Sequence, residues 1–117
     1  MDDVRVLQMI DPVDEDTCQE HVELVPMERA EAERAARMLK AVSDPTRLQL
    51  LSMIQSSPKG EACVCDLTKP LGLTQPTVSH HLKLLADAGL LTRDKRGIWV
   101  WFAIVPERLE AIRALLA

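Results

Sequence analysis

The sequence predicts a mainly α-helical domain with one small β-hairpin, on three observations. Apolar residues recur at helical spacing in separate stretches between Met27 and Ala117. Glycines and prolines punctuate those stretches where one helix must stop and the next begin. One run, Leu90 to Ile104, alternates instead, around the charged residues Arg93 to Gly97. The 117 residues are 47% hydrophobic and 27% charged, which suits a single globular domain and excludes disorder, collagen or low complexity.

Taken in order, residues 1–26 form an acidic N-terminal arm, extended or loosely helical, with Pro12 and Pro26 and no sustained periodicity. Residues 27–117 form the domain. Its first helix is MERAEAERAARMLKAV, Met27 to Val42, with Met27, Ala30, Ala35, Met38, Leu39 and Val42 at helical spacing. Ser43 and Asp44 before Pro45 are a start signal, because a short acceptor side chain caps free amides and proline suits a first turn. The second helix runs from there to about Gln55, with Leu48, Leu51 and Ile54 as its apolar face, and ends in the stretch Ser56 to Gly60. A short helix from Asp66 to Leu71 breaks at Pro70 and Gly72, and a longer one opens at Thr74 with Pro76 in its first turn. On that helix Val78, His81, Leu82, Leu84, Leu85 and Ala88 share one arc, opposite Gln75, Ser79, His80 and Lys83. Gly89 stops it, the hairpin follows with Trp99 and Trp101 on one face as packing residues, and Pro106 opens a last helix striped by Val105, Leu109, Ile112 and Leu116.

Helix, tight turn, helix and then a basic hairpin make a winged helix-turn-helix. The major groove of a duplex accepts one helix, and polar residues near its start reach base edges. Gln75, Thr77, Ser79 and His80 are the candidates for reading bases. Lys83, with Arg93, Lys95 and Arg96 on the hairpin, suits phosphate, which fixes register without reading sequence. The formal net charge of −4 does not oppose this, because charge is segregated. Residues 1–33 hold eleven Asp/Glu against two Arg, whereas residues 34–117 hold twelve Lys/Arg against seven Asp/Glu. A lone recognition helix has a small footprint, so a homodimer reading a palindromic double-stranded operator is expected, joined through the spare apolar stripes of the first and last helices.

Three cysteines, an odd number with no apolar stretch of membrane-spanning length and an acidic start, indicate a cytoplasmic protein with free thiols rather than a disulfide scaffold or a membrane protein. The sharpest chemical signal is Cys63-Val64-Cys65-Asp66. Inside a helix, residues two apart point to opposite sides, so two thiolates at that spacing grip one soft ion only if the backbone changes. With Asp66 as helix cap, both cysteines lie in the segment before it, and drawing them together would shift the first helix of the DNA-reading pair. Ion and operator would then compete for two arrangements of one element. The alternative is two buried cysteines acting as small hydrophobes.

The stretch EACVCDL, the helix GLTQPTVSHHLKLLADAGLL, the strand GIWVWFAIV and the run AVSDPTRLQLL resemble the ArsR/SmtB family of metal- and metalloid-sensing repressors over about residues 30–117. The CVCDL motif resembles its arsenic-sensing branch most. The resemblance implies a homodimeric winged helix that sits on a resistance promoter and leaves when a toxic ion binds. It implies that Cys63 and Cys65 ligate the inducer, As(III) or Sb(III), and that Thr74 to Ala88 is the recognition helix, with no cofactor needed for DNA binding. Arsenic sensors of the best-known type carry a third cysteine three residues past the second, and here that position is Thr68. Cys18 is then the remaining sulfur for trigonal coordination, from its own chain or across the dimer. The runner-up inducers are Cd(II), Pb(II) and Zn(II), for which Cys18 and His21 would complete a tetrahedral set with Cys63 and Cys65. The last helix offers only Glu107 and Glu110 toward a zinc site. His80 suits DNA and His81 partial burial.

Two rival functions use the same residues. A thiol enzyme needs a cysteine of lowered pKa beside a base, and a phosphate-cradling loop needs clustered glycines, whereas Gly60, Gly72, Gly89 and Gly97 are isolated; catalysis is not expected. A redox-sensing or constitutive regulator of the same fold remains the other alternative.

Overall fold

Each helix of the computed structural model, which describes residues 21–116, starts or stops on a local signal. Cys18 and most of the acidic arm lie outside the described residues, and residues 21–28 carry no helix or strand. Helix α1 (Arg29–Val42) begins two residues later than Met27, because Glu28 is extended (φ −60°, ψ 143°). It buries Ala35 and Met38. Helix α2 (Pro45–Ser56) starts as expected, with the Asp44 carboxylate accepting the Arg47 amide at 3.1 Å and Pro45 in the first turn. Its buried face differs from the expected one. Leu50, Leu51 and Ile54 are inside, whereas Leu48 is 54% exposed. Apolar residues run round more than one side of this helix, so its spacing alone does not choose a face, and packing against α1, the helix that begins at Gln75 and the sheet does.

The next difference is a strand. After a 3-10 turn at Pro58–Gly60, Glu61–Cys63 forms β1, so the sheet has three strands rather than two. Helix α3 (Val64–Leu71) starts at once after it, two residues before the expected Asp66. Cys63 (φ −80°, ψ 145°) is its extended cap residue, and Cys65 sits inside its first turn. The two cysteines therefore do not share a loose segment ahead of the helix. The helix passes through Pro70 and ends on Gly72, whose φ of 64° is the left-handed turn that lets the chain reverse. Helix α4 (Gln75–Asp87) follows, extended at Thr74 and with Pro76 in its first turn.

Strands β2 (Leu91–Arg96) and β3 (Trp99–Ile104) form the hairpin, and the sheet order is β1-β3-β2, antiparallel throughout. Arg96 pairs with Trp99, which leaves a two-residue turn, Gly97 and Ile98, with Gly97 at φ 63°. The charged residues expected in the turn are thus in the strand, with Arg93, Asp94 and Lys95 opposite Phe102, Trp101 and Val100. Ile98 occupies the tip and is 83% exposed.

Leu50, Ile54, Leu67, Val78, Leu82, Leu85 and Leu90 are fully buried where α2, α3, α4 and the sheet meet. Each such side chain contributes on the order of 2 kcal/mol by leaving water. Helix α5 (Pro106–Leu116) packs Leu109 and Ile112 against this core, so its apolar stripe finds more support within the chain than the sequence implies. A groove of about 660 Å³ remains between α1 and α5, with Ala35, Met38, Ala111 and Leu115 on its walls and Arg34, Arg37 and Arg108 around them.

The sheet is fastened by Arg96. Its guanidinium grips Glu61 with two bonds of 2.7 and 3.1 Å, donates to Asp94 at 2.9 Å and lies 4.8 Å from the Trp101 ring centre. The Arg96 hydrogen bond, against a smaller opposing effect of burial and aided by the Arg96 charge, holds the Glu61 carboxyl below its ordinary value of 4.5. A carboxyl whose folded pKa is depressed stabilises the fold above its unfolded pKa, and that contribution fades as pH falls through the folded value. The melting temperature should therefore drop as pH is lowered below about 4.5, and Glu61→Gln should flatten that part of the pH profile.

Candidate functional site

Helix α4 turns its polar side outward as the sequence indicates, but Leu84, expected on the packed arc, is 36% exposed. Val78, Leu82 and Leu85 are buried, Gln75, Thr77, His80 and Lys83 are exposed, and Ser79 is half-buried. Two of these groups already have local partners. Thr77 shares a 2.9 Å hydroxyl contact with Thr74, and the Lys83 ammonium donates to Asp87 at 2.8 Å. Of the basic hairpin residues, Arg96 stands in β2 beside the turn rather than in it, and is paired with Glu61 and Asp94. Arg93 and Lys95 are exposed, and among the described residues neither is in an ion pair.

Sequence reasoning missed Arg47. Its guanidinium donates to the Ala41 carbonyl at the end of α1 and lies 3.1 Å from His81 Nδ1 on α4, while its amide is capped by Asp44. One side chain thus ties α1 and α2 to the recognition helix and accounts for the half-buried state of His81. Residues 34 apart in sequence give no local signal of such a clamp.

The cysteine pair has a geometry that the helical argument does not anticipate. Cys63 Sγ lies 3.1 Å from Cys65 Sγ, either thiol donating. The i, i+2 rule fails because Cys63 is the extended end of β1 and only Cys65 is helical, so the strand-to-helix corner turns both sulfurs to one side. Two sulfurs bonded to one ion at about 2.3 Å each and about 90–110° apart stand about 3.3–3.8 Å from each other, so this pair needs only a few tenths of an ångström more to hold a soft ion. The two sulfurs are thus already neighbours without an ion between them. Cys63 is 5% exposed and Cys65 is open to solvent. Contact with the Cys63 sulfur, some desolvation and the nearby Cys63 and Asp66 groups push the Cys65 thiol above its ordinary value, with only the Asp66 amide opposing. A raised thiol is the reverse of what a nucleophilic cysteine requires.

Among the described residues, no group of three or more His, Cys, Asp or Glu side chains stands together as a metal site. Thr68, where the resemblance would place a third cysteine, donates its hydroxyl back to the Val64 carbonyl at 2.8 Å. Cys18 lies outside the described residues, and His21 is exposed. What the fold does bring together is the thiol pair and the DNA-reading candidates. Cys63, Cys65, Gln75, Ser79, Lys83 and Arg93 line one hollow of about 590 Å³, walled on its apolar side by Ile98, Trp99, Val100 and Phe102. Among the described residues no helix is long and apolar enough to cross a membrane.

Comparison with known proteins agrees with this architecture. Residues 44–93 match the family described as bacterial regulatory protein, arsR family. An uncharacterized HTH-type transcriptional regulator of Methanocaldococcus jannaschii is 40% identical over 84 residues, which cover 72% of this chain and 92% of that protein. The arsenical resistance operon repressor of Bacillus subtilis is 37% identical over 73 residues, covering 62% of this chain and 68% of the repressor. Among solved structures, the AntR antimony-specific transcriptional repressor superposes with a TM-score of 0.64 at 27% identity, over 90% of each chain. These relatives are transcriptional regulators rather than enzymes. With its winged helix-turn-helix and its match to these regulators, the chain belongs to the arsR family of bacterial regulatory proteins.

Proposed function

We propose that this protein is a metalloid-responsive repressor, which binds operator DNA as a homodimer and is released when As(III) or Sb(III) is captured by Cys63, Cys65 and Cys18. The observation that carries this reading is the pair of sulfurs 3.1 Å apart in the hollow that Gln75, Ser79, Lys83 and Arg93 also line. Names of relatives point the same way, since the Bacillus subtilis protein is an arsenical resistance repressor and AntR is antimony-specific. In the DNA complex, Gln75, Thr77, Ser79 and His80 read base edges, and Lys83, Arg93, Lys95 and Arg96 meet phosphate. A second copy of the chain seats in the groove between α1 and α5, which spaces two recognition helices one duplex turn apart.

The inducer chemistry balances without a redox step. Arsenous acid exchanges three hydroxyls for three thiols and releases three waters, with no net proton. A divalent ion such as cadmium instead displaces one proton from each thiol it binds. Because the Cys65 thiol is raised, it is protonated near neutral pH, and this difference is measurable. The apparent affinity for cadmium should rise about tenfold per pH unit for each thiol deprotonated, whereas that for arsenite should stay nearly flat between about pH 6 and 8.

The deciding experiment titrates the DNA complex with arsenite, antimonite, cadmium and peroxide, following release by anisotropy and thiolate bonding by ultraviolet absorption. Release by the metalloids supports the proposal, release by cadmium alone favours the divalent-ion sensor, and release by peroxide alone favours the thiol redox regulator. In the same assay Cys18→Ser should blunt arsenite release while leaving DNA binding intact. A variant that responds like the parent rejects Cys18 as the third ligand.

A further inference from the structure

We infer that the hollow beside the thiol pair takes a trivalent organoarsenical, an arsenic bearing one carbon substituent, held by Cys63 and Cys65 alone. The inference rests on the reading of these two cysteines as inducer ligands and changes what fills the third position on arsenic. Trivalent arsenic makes three bonds. Where one of them goes to carbon, two remain for sulfur, and two sulfurs 3.1 Å apart are what the corner between β1 and α3 presents. The reaction balances. A substituted arsenous acid, RAs(OH)2, exchanges its two hydroxyls for the two thiols: two As–O bonds break, two As–S bonds form, and two waters leave with the thiol protons. Arsenic stays trivalent, no oxidant or reductant enters, and the bound group carries no net charge.

The surroundings of the sulfurs favour carbon at the third bond. Trp101 is the cross-strand partner of Cys63, and Ile98, Trp99, Val100 and Phe102 wall the hollow that both cysteines line. Its volume of about 590 Å³ falls in the range of about 300–1,000 Å³ that small organic ligands occupy, and far exceeds what one ion fills. Trp99 is 52% exposed and Ile98 83% exposed, so both keep apolar surface in water that an aryl or alkyl group on arsenic would cover. Gln75 and Ser79 line the opposite side of the same hollow, so an organic group seated there stands where a duplex would meet α4. Capture at the sulfurs and displacement of DNA then share one volume.

The test uses the full chain and a duplex selected by the protein from random sequence. Its probes are arsenite and phenylarsine oxide, which hydrates to an aryl arsenous acid. Release is followed by anisotropy, and the thiols consumed are counted by titrating those left free. Phenylarsine oxide should release the parent at a concentration about tenfold or more below that of arsenite, and one equivalent per chain should consume two of the three thiols. Cys18→Ser should keep its phenylarsine oxide response within about threefold of the parent. Trp99→Ala should need about fivefold or more phenylarsine oxide, while its arsenite response stays within about twofold. Ile98→Ala, on the exposed turn where truncation leaves the fold untouched, should shift in the same direction. If Cys18→Ser loses both responses together, the two-sulfur arsenical is overturned and the three-sulfur reading of the inducer stands. If Cys18→Ser keeps both, the three-sulfur reading fails, and this inference is decided by the rim variants. Rim variants whose two responses move together, or not at all, overturn it.

Discussion

Cys65→Ser should bind operator DNA within about threefold of the parent and yet need about a hundredfold more arsenite, or more, to let go of it. The side chain is exposed and its contact is the 3.1 Å approach to the Cys63 sulfur, which a serine hydroxyl can still meet, so exchanging sulfur for oxygen should leave the fold intact. It removes a soft ligand from a pair spaced for one ion, and even the outer partners of metal ligands are worth ten- to a hundredfold in affinity. Cys63→Ser should lose the response as fully but carry a second penalty. Cys63 is buried, and a hydroxyl placed there in its stead costs about 1–3 kcal/mol unless it finds a partner. Anisotropy titration of the DNA complex measures the response, and urea unfolding separates the two variants. Release of the Cys65→Ser complex at the parent's arsenite concentration would remove the thiol pair from the mechanism.

Leu50→Ala and Leu48→Ala, two residues apart on α2, should differ by several-fold in cost. Leu50 is fully buried, and truncating such a leucine costs about 3 kcal/mol through lost transfer energy and the cavity left behind. That is a large part of the 5–15 kcal/mol typical of whole domains. Leu48 is 54% exposed, and its truncation should cost less than about 1 kcal/mol. Urea unfolding at one protein concentration checks both. Equal costs would mean that α2 is turned about its axis from the orientation described.

This pair also marks where the sequence is legible and where it is not. The caps at Asp44 and Gly72, the burial of Val78, Leu82 and Leu85 on α4 and the start of α5 at Pro106 are local chemistry, and each stands where residue order indicates, whereas Leu84 of the same expected face is exposed. The buried face of α2 is not local, because leucines occupy several sides and only neighbours in space select among them. Strand β1 is equally hidden. Three residues show no alternation to detect, and they form a strand only because β3, some forty residues later, supplies the partner. That strand is also why the cysteine geometry departs from the helical expectation. The helical rule for residues two apart is sound, but Cys63 is not in the helix. In the hairpin, the charged run suggested a tip at Arg93 to Gly97, whereas Gly97 alone permits the tight reversal and pulls the charges into β2. Of the candidate site, the exposed polar side chains of α4 and the two cysteines are legible in residue order. The commitment of Arg96 to Glu61, and the Arg47 clamp on His81, depend on contacts far apart in the chain.

Cys63, Trp101 and Asp94 stand side by side as one rung across the three strands. The middle member is an indole, and a heavy atom arriving on the neighbouring sulfur should darken its emission. The protein therefore carries its own lamp beside the lock, and occupancy can be watched at ultraviolet wavelengths without attaching any dye.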